Sequence, residues 1–273
     1  MEAPSTDFEP WLTAWGLRLD GAAFRTGYAG NWLLPVRQGG TAAMLKLSHH
    51  AEEQRGARLM AWWAGEGAAR VLAQDGEALL LERLVGPRSL TAMARGGEDD
   101  AASRILCQVA DRLHVARPEP PPGDLVPLPV WLRALKPAAA ADGGMLAAAQ
   151  ATAERLFAAN EEPAVLHGDL HHANVLDGGP RGWLAIDPKG ITGPRGYDYA
   201  NILCNPDPET ALTPGRLDRQ LAVVAEAARL PRERLIQWLL VHAAAAAVWC
   251  RQDGFDAEPA LALARSAHAA LGA

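Results

Sequence analysis

Between residues 160 and 190, a chain otherwise rich in helix-forming alanine turns abruptly to short β-type runs. "AVLHG" and "NVLDGGPRGWLAID" read as strand-like segments, the second folding back as a β-hairpin. The stretch that joins them, "VLHGDLHHANVL", packs His167, Asp169, His171, His172 and Asn174 between two apolar ends. A fold that accommodates this must seat a hairpin inside a helical body and expose a polar loop at its open end.

The remainder of the chain divides around that feature. "NWLLPV" and "TAAMLKLS" are apolar runs separated by the turn signal "RQGG", which predicts a hairpin. Helical spacing of Leu59, Trp62 and Trp63 predicts a helix over 51–67, with Gly65 or Gly67 as stop signals. "ARVLAQDGEALLLERL" adds two strands around a Gln-Asp-Gly turn. After "VGPRSL" helices take over, beginning with "DDAASRILCQVADRLHVA", whose acidic start suits the helix dipole. "RPEPPPGDLVPLP" is too proline-rich for a regular element and reads as a surface loop. The expected architecture is α+β and bilobal: a small β-rich lobe over 1–84 and a larger, mainly helical lobe over 85–273.

Composition narrows the partners. A formal net charge of −6 argues against nucleic acid and leans towards a cationic small molecule. Cys107, Cys204 and Cys250 show no CxxC spacing and fit a reducing cytoplasm, the expected location. No basic, apolar leader is read in "MEAPSTDFEPW". "LIQWLLVHAAAAAVWC" is interrupted by Gln237 and His242, so a buried helix is expected there and no membrane span.

Two chemistries fit the polar loop. His167, Asp169, His171 and His172 could form a zinc cage of a hydrolase, although no further ligand pattern accompanies them. Alternatively, the hairpin brings Asn174 and Asp187 to one small volume, where an amide oxygen and a carboxylate suit Mg²⁺ beside nucleotide phosphates. Asp169, left off the metal, is then free to accept or orient a hydroxyl proton.

The second arrangement resembles the protein-kinase-like fold, whose H-R-D-L-x-x-x-N signature has the same Asp-to-Asn spacing. Gly168 replaces the arginine, "IDP" stands in place of Asp-Phe-Gly, and no Ala-Pro-Glu follows. "HGDLHHAN" and "IDP" are similar to the aminoglycoside phosphotransferase family. "LHGDLHHANVL", "RGWLAIDPKG", "YDYAN" and "EEQRGARLMAWWAGEGAARVL" look like its streptomycin 6-kinase and hydroxyurea kinase branch.

The resemblance implies an ATP- and Mg²⁺-dependent O-phosphotransferase. Its acceptor would be an aminoglycoside such as streptomycin, at the 6-hydroxyl, or hydroxyurea. Asp169 becomes the catalytic residue, with Asn174 and Asp187 as metal ligands. Lys46 is expected on the nucleotide phosphates, held by Glu52 or Glu53, with Glu53 favoured. Backbone groups of Glu82, Arg83 and Leu84 would meet the adenine. Gly27 and Gly30 in "RTGYAGNW" would cover the phosphates, although G-x-G-x-x-G is absent. Asp198 in "YDYAN" would brace the catalytic loop. Lys189 reads equally as a group near the transferred phosphate or as a solvated turn lysine. A guanidinium-bearing acceptor would need acids and aromatic faces, for which Asp207, Trp249, Asp253, Asp256 and Glu258 are the candidates. A nucleotide-binding pseudokinase with a regulatory role is the other alternative.

Overall fold

Strand β4 (Thr41–Leu47) shows how the small lobe is built. Alternation along it sends Ala43, Leu45 and Leu47 to one face and Met44 and Lys46 to the other. The first face meets Leu34 and Val36 of β3 (Trp32–Gln38), together with Phe8 and Leu17. Helix α1 (Glu9–Ala14) caps that face with Trp11 and Leu12. The computed structural model describes residues 7–26, 31–159 and 161–272, so Gly27 and Gly30 lie outside the described residues.

Strands β1 (Leu17–Leu19) and β2 (Phe24–Arg25) both pair with β3. The sheet is completed by β5 (Val71–Asp75) and β6 (Ala78–Glu82), in the antiparallel order β1-β3-β4-β6-β5. The sequence predicts four of these six strands; β1 and β2 are too short to show a period. Alternation in β6 sends Leu80 to the α1 side and Leu79 and Leu81 to the other. There they meet Ala57, Leu59, Met60 and Trp63 of α2 (Ala51–Trp63). Helix α2 ends at Ala64, in a left-handed conformation at φ +51, just ahead of the expected glycine stops.

The core beneath α2 continues without a break into the helical lobe. That lobe comprises α3 (Leu90–Arg95), α4 (Asp99–Leu113), β7 (Val126–Pro127), α5 (Leu128–Trp131), α6 (Leu135–Asp142) and α7 (Gly144–Ala158). Strands β8 (Ala164–Leu166), β9 (Val175–Asp177), β10 (Trp183–Ala185) and β11 (Ile191–Gly193) follow. Helices α8 (Gly196–Leu203), α9 (Pro208–Ala211), α10 (Arg216–Ala228), α11 (Arg232–Gln252) and α12 (Glu258–Gly272) complete it.

Strands β9 and β10 form the expected hairpin, whereas β8 pairs with β11 and not with the hairpin. The proline-rich stretch departs from its reading as a loop at its end. Val126–Pro127 pairs in parallel with β11, at a sheet edge where a missing N–H is tolerated, and Leu128 is fully buried at the start of α5. Helix α11 buries most of its length, and no helix of the described residues is long and apolar enough to cross a membrane.

Candidate active site

The polar loop hangs between β8 and β9 and is held from below by α8. Asp198, 1% exposed, accepts the backbone N–H groups of His167 at 2.8 Å and Gly168 at 2.7 Å, and meets His114 Nε2 at 2.8 Å. Burial opposes its charge, but the His114 hydrogen bond and these donors hold its carboxyl below the usual range. Gly168 sits at φ +81, and a Cβ there would lie 2.5 Å from Ile191 Cδ1. The departure from arginine at this position is therefore required by local packing.

His167 is fully buried and joins the loop to the strand end that carries Asp187. Its Nδ1 accepts from Asp169 N at 3.2 Å, so Nε2 carries the proton donated to Ile186 O at 2.8 Å. Burial pushes its pKa down, which suits a neutral tether and not a titrating catalyst. The hairpin's open end is closed by Ile186 N donating to Asn174 O at 2.9 Å. Asn174 and Asp187 consequently flank the same opening.

Asp169 lies at the centre. Its Oδ2 accepts from Asn174 Nδ2 at 3.2 Å and its Oδ1 from Asn201 Nδ2 at 3.0 Å. Lys189 Nζ stands 3.9 Å from Oδ2, and His171 Nε2 is 3.7 Å from Oδ1. Across the cleft, Lys46 on β4 forms ion pairs with both Glu53 of α2 and Asp187. Glu53 is thus the partner of Lys46, and Glu52 pairs with Lys189 at 3.2 Å. Lys46, Glu53, Asp169, Asn174 and Asp187 converge as one constellation, with the Asp169 and Asp187 side chains each 32% exposed at the cleft.

Electrostatics reinforce this grouping. Burial works against the Lys46 ammonium, but the Asp187 and Glu53 carboxylates outweigh it and raise its pKa. Burial opposes the Asp187 carboxylate, yet Lys46 and Lys189 hold its pKa down at about 2. Its backbone takes the left-handed φ of +63, an uncommon state for a non-glycine residue that aims the carboxylate back at Lys46. Asn174 directs its Nδ2 at Asp169, leaving Oδ1 as a ligand oxygen, and Asp187 supplies a carboxylate. Those two donors fit Mg²⁺, which keeps several waters and takes few protein ligands.

Other candidates are placed less centrally. Glu82 N donates to Arg70 O and Arg83 N to Ala42 O, while the Glu82 side chain pairs with Arg181 and that of Arg83 with Asp20. Leu84 packs against the main core. Asp207 caps α9 by accepting from Thr210 N at 2.8 Å and pairs with Arg95 at 2.9 Å. Trp249 makes an edge contact with Trp131, centroids 5.8 Å apart. Asp253 and Asp256 are exposed at the end of α11, Asp256 accepting from Glu258 N at 2.9 Å, and Glu258 pairs with Arg265.

The zinc cage does not form. No group of three or more His, Cys, Asp or Glu among the described residues could hold a metal ion. His172 turns inward, 2% exposed, with neither ring nitrogen hydrogen-bonded, and burial pushes its pKa down to about 3. Asn201 and His114 escaped the sequence reading. Asn201 stands three residues after Asp198, so one turn of α8 presents both to the loop, a spacing already visible in "YDYAN". His114 carried no such signal.

With this geometry in place, the similarity to known proteins is informative. Residues 14–254 match the model of the family described as aminoglycoside/hydroxyurea antibiotic resistance kinase. The streptomycin 3''-kinase of Klebsiella pneumoniae is 47% identical over 248 residues, covering 89% of this chain and 92% of that protein. The streptomycin 6-kinase of Streptomyces griseus is 32% identical over 272 residues, covering 89% and 81%. Among solved structures, a thermostable mutant of aminoglycoside phosphotransferase APH(4)-Ia, in a ternary complex with ADP and hygromycin B, superposes with a TM-score of 0.65. Its identity is 16%, and 98% of each chain is covered. That likeness shows the bilobal kinase-like fold, and the matched length and identity settle the lineage. The chain belongs to the aminoglycoside/hydroxyurea antibiotic resistance kinases.

Proposed function

We propose that this kinase transfers the γ-phosphoryl group of ATP to a hydroxyl of streptomycin, with the 3''-hydroxyl ahead of the 6-hydroxyl. The observation that carries the reaction is the convergence of Lys46, Asp169, Asn174 and Asp187 on one opening. The order of the hydroxyls rests on the relatives: the 3''-kinase is 47% identical and the 6-kinase 32%. The first expectation, the 6-hydroxyl, thereby becomes the second choice.

Asp169 accepts the acceptor's hydroxyl proton or orients that hydroxyl for in-line attack. Asn174 and Asn201 hold both of its oxygens, so the carboxylate is aimed before substrate arrives. Lys46, fixed by Glu53, meets the α- and β-phosphates. Asn174 Oδ1 and Asp187 would hold Mg²⁺, which neutralises charge on the triphosphate when bound. Since Glu82 and Arg83 use their N–H groups inside the sheet, the adenine contact falls to Leu84 and to the carbonyls of this segment. The phosphate cover remains assigned to Gly27 and Gly30.

For the acceptor, Trp249, Asp253, Asp256 and Glu258, between the last turn of α11 and the start of α12, supply the acids and the aromatic face that suit guanidinium groups. Asp207 is already engaged by Arg95 and the α9 cap, which makes it the weakest member. A cytoplasmic site of action follows from the use of ATP. The pseudokinase alternative finds no support in a cleft that keeps the base, both metal ligands and the lysine.

Purified protein should be incubated with ATP and, separately, streptomycin, other aminoglycosides, hydroxyurea and simple sugars, with the product mapped by NMR. Streptomycin phosphorylated at the 3''-oxygen is the expected result. Phosphorylation of hydroxyurea alone would refute the guanidinium-binding acceptor site.

A further inference from the structure

Lys189 is no solvated turn lysine. Its side chain is 17% exposed, and its ammonium sits 3.2 Å from Glu52 and 3.9 Å from Asp169. The backbone around it is clamped from two sides. Lys189 N donates to His167 O at 2.7 Å, and Lys189 O accepts from Arg55 Nε at 3.1 Å. Gly56, in the middle of α2, lies so close to Pro188 that an added Cβ would be 2.1 Å from the Pro188 carbonyl oxygen. Gly190, at φ +67, is covered by the Arg55 side chain. Helix α2 and the polar loop together dictate where this lysine stands.

The pattern is a duplication. Two adjacent glutamates in the first turn of α2 each hold one lysine: Glu53 holds Lys46 and Glu52 holds Lys189. The two lysines both act on Asp187, yet their other partners differ. Lys46 pairs with Glu53 and Asp187, on the side assigned to the phosphates that stay with the nucleotide. Lys189 faces Asp169, the group assigned to the attacking hydroxyl. In transfer, the hydroxyl oxygen bonds to the γ-phosphorus while the bond from that phosphorus to the β–γ bridging oxygen breaks. The hydroxyl proton passes to Asp169, and negative charge spreads over the three oxygens in flight. A hydroxyl hydrogen-bonded to Asp169 brings those oxygens within the reach of the Lys189 ammonium.

We propose that Lys189 is a further catalytic residue, contacting the phosphoryl group during its transfer, and that Glu52 is its positioning residue. This rests on the kinase reading of the cleft given above. Without Glu52, Lys189 would close fully onto Asp169 and occupy the carboxylate that the acceptor needs. Four carboxylates, Glu52, Glu53, Asp169 and Asp187, face two ammonium groups, so neither lysine balances the cluster and the surplus negative charge suits an added cation.

The test combines Lys189→Met, Lys189→Arg, Glu52→Gln and Glu52→Gln/Lys189→Met with Asp169→Ala as reference. Two readouts are needed: kcat for streptomycin phosphorylation, and affinity for Mg²⁺–ADP with and without aluminium fluoride, a mimic of the flying phosphoryl group. Lys189→Met should lower kcat about 100- to 1000-fold. It should weaken ADP–aluminium fluoride by a comparable factor and leave ADP alone within about threefold, since only the mimic carries the phosphoryl oxygens. Lys189→Arg, which keeps the charge, should recover part of both losses. Glu52→Gln should cost about 3- to 10-fold in kcat, and the double variant should be no worse than Lys189→Met, because Glu52 acts through Lys189. An equal loss for ADP with and without the fluoride, or kcat within about threefold of the parent, would overturn the assignment. A multiplicative loss in the double variant would remove Glu52 from it. Undiminished turnover in Asp169→Ala would instead bring down the reading of the site itself.

Discussion

Two charged clusters lie on either side of the polar loop, and they are built on opposite rules. In the helical lobe, Arg216 and Asp99 form a bidentate pair at 2.8 and 3.0 Å, with side chains 2% and 6% exposed. The remaining Arg216 donors reach Leu203 O at 3.2 Å and Asn205 O at 2.8 Å, and Arg219 adds a second cation to Asp99 at 3.3 Å. In the cleft, carboxylates outnumber ammonium groups, and Asp169 and Asp187 stay a third exposed. A closed, fully coordinated pair has nothing left to offer a ligand. An open group with surplus negative charge keeps carboxylates exposed to the cleft, the property that the proposed function uses. Burial of charge alone does not mark function; the unfilled valence does.

The contrast breaks if a cleft mutation acts on stability or a core mutation on chemistry. Asp169→Ala should lower kcat about 1000- to 10,000-fold, roughly 4–5.5 kcal/mol of barrier. Its Mg²⁺–ADP affinity and thermal midpoint should stay near the parent's, as calorimetry would show, because Asp169 faces the cleft. Arg216→Met should do the reverse. Stranding Asp99 without its bidentate partner should cost about 3–5 kcal/mol in urea unfolding. The fraction that remains folded should turn over within about twofold of the parent, a margin too small to reflect a lost catalytic contact. Adding Asp99→Leu should return part of the stability, since the stranded charge is then gone.

His172 joins the two clusters, following His171 in the polar loop and facing Arg216 and Asp99 from within. Burial, with Arg216 adding repulsion, holds its pKa at about 3, against 6.5 for a free imidazole. A depressed folded value means that the unfolded chain binds the proton first, so stability falls as pH drops below 6.5. At pH 5 the loss from this one group is about 2 kcal/mol. His242, held at about 4 by burial, acts in the same direction. Urea midpoints measured from pH 7 to 5 should therefore fall, and His172→Gln should flatten the curve by about 2 kcal/mol. An unchanged pH slope in that variant would mean that His172 is not kept neutral by the fold.

What the sequence disclosed follows the same division. Placement carried by fixed spacing was legible: Asp169 to Asn174 in one loop, Asp187 at the end of the next strand, Lys46 alternating out of an apolar strand. The hairpin was legible because both of its strands are apolar and its turn is glycine-rich. Partners contributed by distant elements were not. His114 reaches Asp198 from α4, and Glu52 and Lys189 meet only because Gly56 lets α2 touch residues 187–190. Strand β11, "ITG", is three residues long and exists through pairing with β8 and β7, which no local pattern announces. The acidic run at the end of α11 was readable as composition, but helix capping and the Arg265 pair use part of it locally. Periodicity reports a face, and it is silent on what that face meets.

The finest distinction between the clusters rests on Asn201. It is 7% exposed, donates to Asp169 Oδ1 at 3.0 Å, and accepts from Asn205 at 2.9 Å, so it links the helical core to the Asp169 carboxylate. Were it a core residue only, Asn201→Ala would lower stability and leave kcat alone. If it aims Asp169, the loss of one hydrogen bond to a charged group should cut kcat about tenfold, roughly 1.4 kcal/mol. Mg²⁺–ADP affinity should be unaffected, since Asn201 touches neither Lys46 nor Asp187. Asn201→Asp separates the two roles further: it removes the amide donor and sets a like charge against Asp169, so kcat should fall below that of Asn201→Ala. A purely structural asparagine would give the two variants the same kcat, because Asp169 would not sense the new charge.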